Sequence, residues 1–248
     1  MAGLKQRVSD LVYKVGDKVG DSFLSPPHSS FGQYVNRGPD DRRVVALTFD
    51  DGPSYGSTDR LLDALAEVDA VASFFCVGEN VRANPELLRR AYDEGHLIGN
   101  HSIDHSRGAG LSLRDTQHIE RGEDEIADVL GVRPTMYRPP WGWLTPWEAR
   151  RLHSRGYTIV GWDVYTHDWQ LPAPSTASIV DEVLEQTGPG SIICLHDAYP
   201  LKPAYEKTVT ADVVRDVVPR LRDDGYEFVT VADLLGLPAT RPLDDLAA

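Results

Sequence analysis

From residue 43 onward the chain alternates short apolar runs with amphipathic stretches, and that alternation leaves few folds open. Apolar runs at residues 44–49, 71–77, 97–99, 135–137, 158–162, 192–195 and 228–231 have the length of buried strands rather than helices. Helix signals fill the intervals. Asn84-Pro85 caps and starts one helix, and Thr145-Pro146-Trp147-Glu148 reads as a capping box with proline in the first turn. Ile119, Gly122, Ile126, Val129 and Leu130 mark one face of another helix. Gly95, Gly156 and Gly225 each stop a helix directly before a strand. Strand–helix units in this order predict an α/β fold whose parallel sheet is closed, or nearly closed, into a barrel; an open doubly wound sheet is the alternative. At 248 residues and 41% hydrophobic content the chain can fill one sizeable core.

Residues 1–41 stand apart. Leu4, Val8, Leu11, Val12, Val15 and Val19 recur at helical spacing between Lys5, Arg7, Lys14 and Lys18, which predicts an amphipathic N-terminal helix. Its apolar stripe is expected to pack on the barrel, with peripheral membrane contact through residues 1–24 as the alternative. Residues 25–41, rich in Pro, Ser and Gly, read as a connecting loop, so the barrel domain is assigned to residues 42–248. Acids outnumber bases 38 to 25, and the net charge of −13 argues against nucleic acid as a partner, because phosphate binding needs a basic footprint. Cys76 and Cys194 each sit inside an apolar run and read as small core residues rather than a bridge. No apolar run approaches the roughly 20 residues that span a bilayer, and no signal core opens the sequence. The expected location is the cytoplasm, or the inner membrane face if the N-terminal helix docks there.

Polar residues gather where the predicted strands end. Asp50 and Asp51 close the first strand ahead of Gly-Pro, His101 and His105 follow the third, and Arg138-Pro-Pro-Trp141-Gly follows the fourth. Asp163 and Asp168-Trp169 come after the fifth strand, and His196-Asp197 after the sixth. In α/β barrels the carboxyl ends of the strands carry the site. Singly these residues have ordinary explanations: a turn cap, a surface ion pair for Arg138, a satisfied core histidine for His196, a loop plug for Asp168-Trp169. Together they are hard to explain as folding needs. Neighbours on a strand point to opposite sides, so the two acids need not share a task. His101 and His105, four apart, share a face if the segment turns helically. With Asp51 they make two nitrogens and one carboxylate, a three-ligand set that leaves a position open, as catalytic zinc prefers; iron, cobalt and nickel also suit it.

TFDDGP at 48–53, HSIDH at 101–105, RPPWG at 138–142, DW at 168–169 and LHD at 195–197 resemble the five ordered motifs of the polysaccharide deacetylase family. This is carbohydrate esterase family four, the NodB homology domain, and the resemblance runs from about residue 43 to residue 235. It implies a distorted (β/α)7-8 barrel and metal-dependent removal of N-acetyl groups from amino sugars, with one divalent ion, zinc foremost. By motif, Asp51, His101 and His105 would hold the metal and Asp50 would be the general base, paired with and oriented by Arg138. His196 would be the general acid, oriented and kept charged by Asp168. Trp169 and Leu195 would line the slot for the acetyl methyl group, and Trp141, where the family usually has tyrosine, would offer its main-chain N–H to the oxyanion.

Trp141, Trp143, Trp147, Tyr165 and Trp169 cluster near this face, as stacking on sugar rings needs, and residues 197–208 read as a candidate lid. The expected substrate is an N-acetylated carbohydrate. Without an export signal, a soluble oligosaccharide or a nucleotide- or lipid-linked sugar fits better than mature cell wall. Two other classes stay open: a catalytically weak carbohydrate-binding module descended from such an enzyme, and a metal amidohydrolase or O-acetyl esterase with another substrate.

Overall fold

The computed structural model describes residues 34–106, 116–170, 172–199 and 207–244. The expected N-terminal helix and most of the candidate lid lie outside them. The strands are β1 (Val44–Asp50), β2 (Ser73–Cys76), β3 (Leu97–Asn100), β4 (Arg133–Pro134), β5 (Met136–Tyr137), β6 (Thr158–Ile159), β7 (Val164–Tyr165), β8 (Ile192–His196), β9 (Glu227–Phe228) and β10 (Thr240–Arg241). Between them run α1 (Thr58–Glu67), α2 (Gly78–Ala83), α3 (Pro85–Asp93), α4 (Gln117–Leu130), α5 (Pro146–Ser154), α6 (Thr176–Gln186), α7 (Val209–Asp223) and α8 (Val231–Leu235).

The main sheet runs β6-β5-β3-β2-β1-β8-β7 with every pairing parallel, and β9 pairs with the start of β1. It curls into a distorted (β/α) barrel. On the open side of the sheet, residues 35–38 link the end of β6 to the residues just before β8: Val35 pairs with Val160, Arg37 with Ser191, and Gly38 N donates to Gly190 O. The segment that read as a connecting loop therefore ends as the seam of the barrel. β4 and β10 form a separate antiparallel pair.

β1 is buried at every position, and its side chains alternate between two cores. Val45, Leu47 and Phe49 join the helix-facing cluster with α1, α6 and α7, while Val44 and Ala46 face Phe75, Met136 and Ile192 inside the barrel. Each fully buried aliphatic or aromatic side chain contributes about 1.5–3 kcal/mol, so this central strand is firmly placed. Its inward-facing polar positions, Thr48 and Asp50, are carried along with it.

Several expectations shift in detail. β5, β6 and β9 are only two residues long, and β7, another two-residue strand, escaped the sequence reading because so short a run leaves no period. Val231, expected to end a strand, instead begins α8, since the Thr230 side chain accepts from Asp233 N and caps a helix there. At α5 only half of the expected capping box forms. Thr145 accepts from Glu148 N, but Glu148 Oε1 turns to within 3.2 Å of His118 Nε2. The stops at Gly95, Gly156 and Gly225 are as expected, each with positive φ.

Candidate active site

Asp50 and Arg138 meet inside the barrel with 3% and 0% of their surfaces exposed. A buried guanidinium is costly unless its donors are used, and here they are. Arg138 Nη1 donates to Asp50 Oδ1 and to Thr48 Oγ1, each at 2.7 Å, and Nη2 donates to the main-chain oxygen of Gly161 at 2.8 Å. Its Cζ lies 4.1 Å from the centroid of the Phe75 ring, which adds a cation–π contact. The other oxygen of Asp50 is 3.9 Å from His101 Nε2 and 3.7 Å from Cys194 Sγ.

Asp51, His101 and His105 converge beside Asp50. Neighbours on a regular strand point to opposite sides, but Asp51 leaves the strand with φ of 83°, which swings its carboxylate back into the site. His101 and His105 come together without the expected helical turn. Positive φ at Ser102 and His105 folds the loop so that the two rings lie 4.9 Å apart. Asn100 shapes that loop, accepting from Ser102 N at 2.9 Å and donating to Ile119 O at 2.8 Å. Gly122 lets α4 approach it, since a Cβ there would lie 2.6 Å from Asn100 Oδ1.

The donor set fits a divalent ion. Asp51 Oδ1 is buried and accepts no hydrogen bond, with His105 Nε2 3.2 Å and His101 Nε2 3.6 Å away. One ligand atom from each residue lies within 4.8 Å of the others. His101 Nδ1 donates to the Arg138 carbonyl at 2.7 Å, so Nε2 carries the lone pair, the tautomer a metal ligand needs. Burial pushes the His101 imidazole down, toward the neutral form, and pushes the Asp51 carboxyl well above its usual range against the pull of His196. A cation would reverse the second effect and is compatible with the first.

The third corner is His196, at the end of β8. Its Nδ1 donates to Asp168 Oδ1 at 2.8 Å, and its main-chain N donates to Oδ2 at 2.9 Å. Burial opposes the imidazolium, but Asp168, through charge and hydrogen bond, outweighs it and raises the His196 pKa. Asp168 is fully buried, and against that burial Lys207 and His196 hold its carboxyl below the usual carboxylate range. Asp197 ties this corner to the first: its Oδ1 accepts from Gly52 N at 2.9 Å and its Oδ2 from Thr58 Oγ1 at 2.6 Å. A Cβ on Gly52 would lie 1.9 Å from Asp197 Oδ2, so only glycine fits that turn.

Of the substrate-slot residues, Trp141 sits with φ of 63° in the Pro140–Gly142 turn, its ring 4.9 Å from that of His105. Trp169 is half-buried next to Asp168. Leu195 does not join them. Strand alternation turns it away from His196, into the helix-facing cluster with Ile193, Val164 and Leu47, and the residue sharing the inner face of β8 is Cys194. Sequence reasoning also missed Thr48, Asn100 and Lys207. The alternation within β1 could have flagged Thr48, a polar residue on the same face as Asp50; no local pattern marked the other two.

A buried carboxylate–guanidinium pair, an imidazole–carboxylate pair and a three-ligand cluster in one patch are groups that hydrolytic chemistry can use. The profile of the polysaccharide deacetylase family matches residues 37–160. The Bacillus cereus peptidoglycan-N-acetylglucosamine deacetylase is 32% identical, the match covering 90% of this chain and 80% of that one. The Bacillus subtilis peptidoglycan-N-acetylmuramic acid deacetylase PdaC is 37% identical over 78% of this chain, which spans 39% of PdaC's length. A crystal structure of a peptidoglycan N-acetylglucosamine deacetylase with 4-naphthalen-1-yl-N-oxidanyl-benzamide superposes with a TM-score of 0.77 at 30% identity, over 84% of this chain and 95% of that one. The chain belongs to the polysaccharide deacetylase family, carbohydrate esterase family 4, and is a carbohydrate de-N-acetylase.

Proposed function

We propose that this chain is a metal-dependent hydrolase that removes acetyl groups from the N-acetylhexosamines of peptidoglycan-type glycans. The observation that carries the reading is the buried meeting of Asp50–Arg138 and His196–Asp168 beside the Asp51, His101 and His105 cluster. Those three residues would hold one divalent ion, zinc foremost, which supplies Lewis-acid polarisation of the amide carbonyl.

The residues of the chain do the rest. Asp50, kept in place and beside a positive charge by Arg138, accepts a proton from the attacking water. The Trp141 main-chain N–H, presented by the Pro140–Gly142 turn, supports the developing oxyanion. An amine is a poor leaving group, so the C–N bond breaks as His196, protonated and oriented by Asp168, hands its proton to the nitrogen. Acetate and the free amino sugar result. Cys194, within 4.8 Å of His196, and Trp169, next in sequence to Asp168, would border the methyl slot.

Among the described residues no helix is long and apolar enough to cross a membrane. In the cytoplasm the enzyme would meet soluble or lipid-linked fragments, and outside it the polymer. Acetate release should be measured on N-acetylglucosamine oligomers, lipid-linked disaccharide and intact peptidoglycan, with and without chelator. Release that chelator abolishes and zinc restores is expected, with about one divalent ion per chain and the ion lost on joint His101→Ala and His105→Ala substitution. Binding of these glycans without turnover, or unchanged metal content in the double variant, would overturn the reading.

A further inference from the structure

Lysine is almost never fully buried unless paired, yet the Lys207 side chain has 0% exposure. Its ammonium lies 3.1 Å from Asp168 Oδ2, donates also to the main-chain oxygen of Asp168, and stands 5.0 Å from the centroid of the Tyr199 ring. Its main-chain N donates to Ser57 Oγ at 2.6 Å, which anchors it to the loop before α1. The two oxygens of Asp168 are thereby divided. Oδ1 serves His196 Nδ1 and Thr166 Oγ1, and Oδ2 serves His196 N and Lys207. Imidazole and ammonium thus share one carboxylate, a row of positive, negative and positive charge.

Such a row has two consequences. The ammonium grips Asp168 at two points and so fixes where His196 is held. It also offsets the negative charge that favours the imidazolium. That offset matters because the surroundings of His196 are otherwise acidic. Asp50 and Asp51 act on it from the end of β1 and Asp168 from the turn after β7, with Cys194 on its own strand and Asp197 next in sequence; the basic groups nearby include His101, Lys207 and Arg138, the last engaged by Asp50, and Tyr199 lies beyond. An acid that never releases its proton cannot protonate a leaving amine.

We propose that Lys207 is a positioning residue that holds Asp168 against His196 and limits how tightly the imidazole keeps its proton. Its value for turnover rests on the reading of His196 as general acid, so the test separates the two. In the zinc-loaded full chain, the His196 imidazole is titrated by carbon-13 NMR, its resonance assigned with His196→Gln, beside the pH–rate profile of acetate release. Lys207→Met should raise the His196 pKa by on the order of one unit, the effect of removing a charge at this range. The alkaline limb of the rate should rise with it while the plateau rate falls. Lys207→Arg, which keeps the charge, should return both toward the parent values, and Asp168→Asn should move both downward. If Lys207→Met does not fold, Lys207→Gln carries the same measurement. An unchanged or lowered His196 pKa in a folded variant would overturn the proposal. A pKa that rises while the limb stays put would uphold it and sink His196 as the acid.

Discussion

Asp50 and Asp168 are both buried carboxylates at the site, each gripped by a fully buried cation, and the two cations work differently. Arg138 touches the proposed base itself and uses its planar fork on Thr48 and two main-chain carbonyls as well, with Phe75 against its face. It belongs to the barrel core as much as to the site. Lys207 is a compact point charge that reaches the proposed acid only through Asp168. The contrast follows the chemistry: a proton acceptor gains from being immobile and ionised, whereas a donor must be held charged but not too firmly. A cation in direct contact suits the first need and one at a remove suits the second.

The largest effects should fall on turnover. Asp50→Asn should lower kcat on the order of 10²–10⁴-fold, the usual worth of a positioned proton acceptor, with N-acetylglucosamine oligomers and an activated acetate ester alike. His196→Ala should damage amide cleavage far more than ester cleavage, since the activated ester's leaving group needs no proton. Equal losses on both substrates would make His196 an electrostatic element and erase the contrast between the corners.

Next comes stability. Arg138→Met leaves Asp50 buried without its counter-ion and should cost about 3–5 kcal/mol in urea unfolding. Lys207→Met should cost less, because Asp168 keeps its bonds from His196 Nδ1, His196 N and Thr166 Oγ1. Equal costs would mean that both cations are structural locks.

The smallest effect sharpens the comparison with a third buried carboxylate, Glu148, whose Oε1 lies 3.2 Å from His118 Nε2. Burial raises its pKa, against the pull of His118. A raised folded-state pKa favours folding while the group is protonated, and that benefit is lost as pH rises through it. The melting temperature of Glu148→Gln relative to the parent should therefore climb as pH rises above the ordinary carboxylate range. Asp168 is held below its ordinary range, so its contribution is present above the carboxylate range and lost in acid. Asp168→Asn should show the opposite slope, and parallel slopes would contradict the assigned charge environments.

The succession of strands and helices and most residues of the candidate site could be read from the sequence because each of those residues sits at the end of an apolar run, where period and motif reinforce one another. Asp50, Asp51, His101, His105, Arg138, Asp168 and His196 all converge as a set. What stayed hidden depended on geometry that residue types do not encode. Leu195 and Cys194 differ by one step of strand register, which decides between core and site. Lys207 becomes an ion-pair partner across 39 residues of chain, and Asn100 acts by bending a loop rather than by facing the reaction. Two-residue strands such as β7 carry too little pattern to be seen.

The shell around Arg138 draws on Thr48 and Asp50, on Phe75, on Val160 and Gly161, and on Cys194. These contributions are scattered over most of the chain. A ribosome makes them in order, so no nascent chain can assemble the complete setting of the proposed proton acceptor until the eighth strand has emerged. A chain that stops before β8 would lack both Cys194 and His196 and the strand that pairs along most of β1, so one strand serves the sheet and the candidate site together.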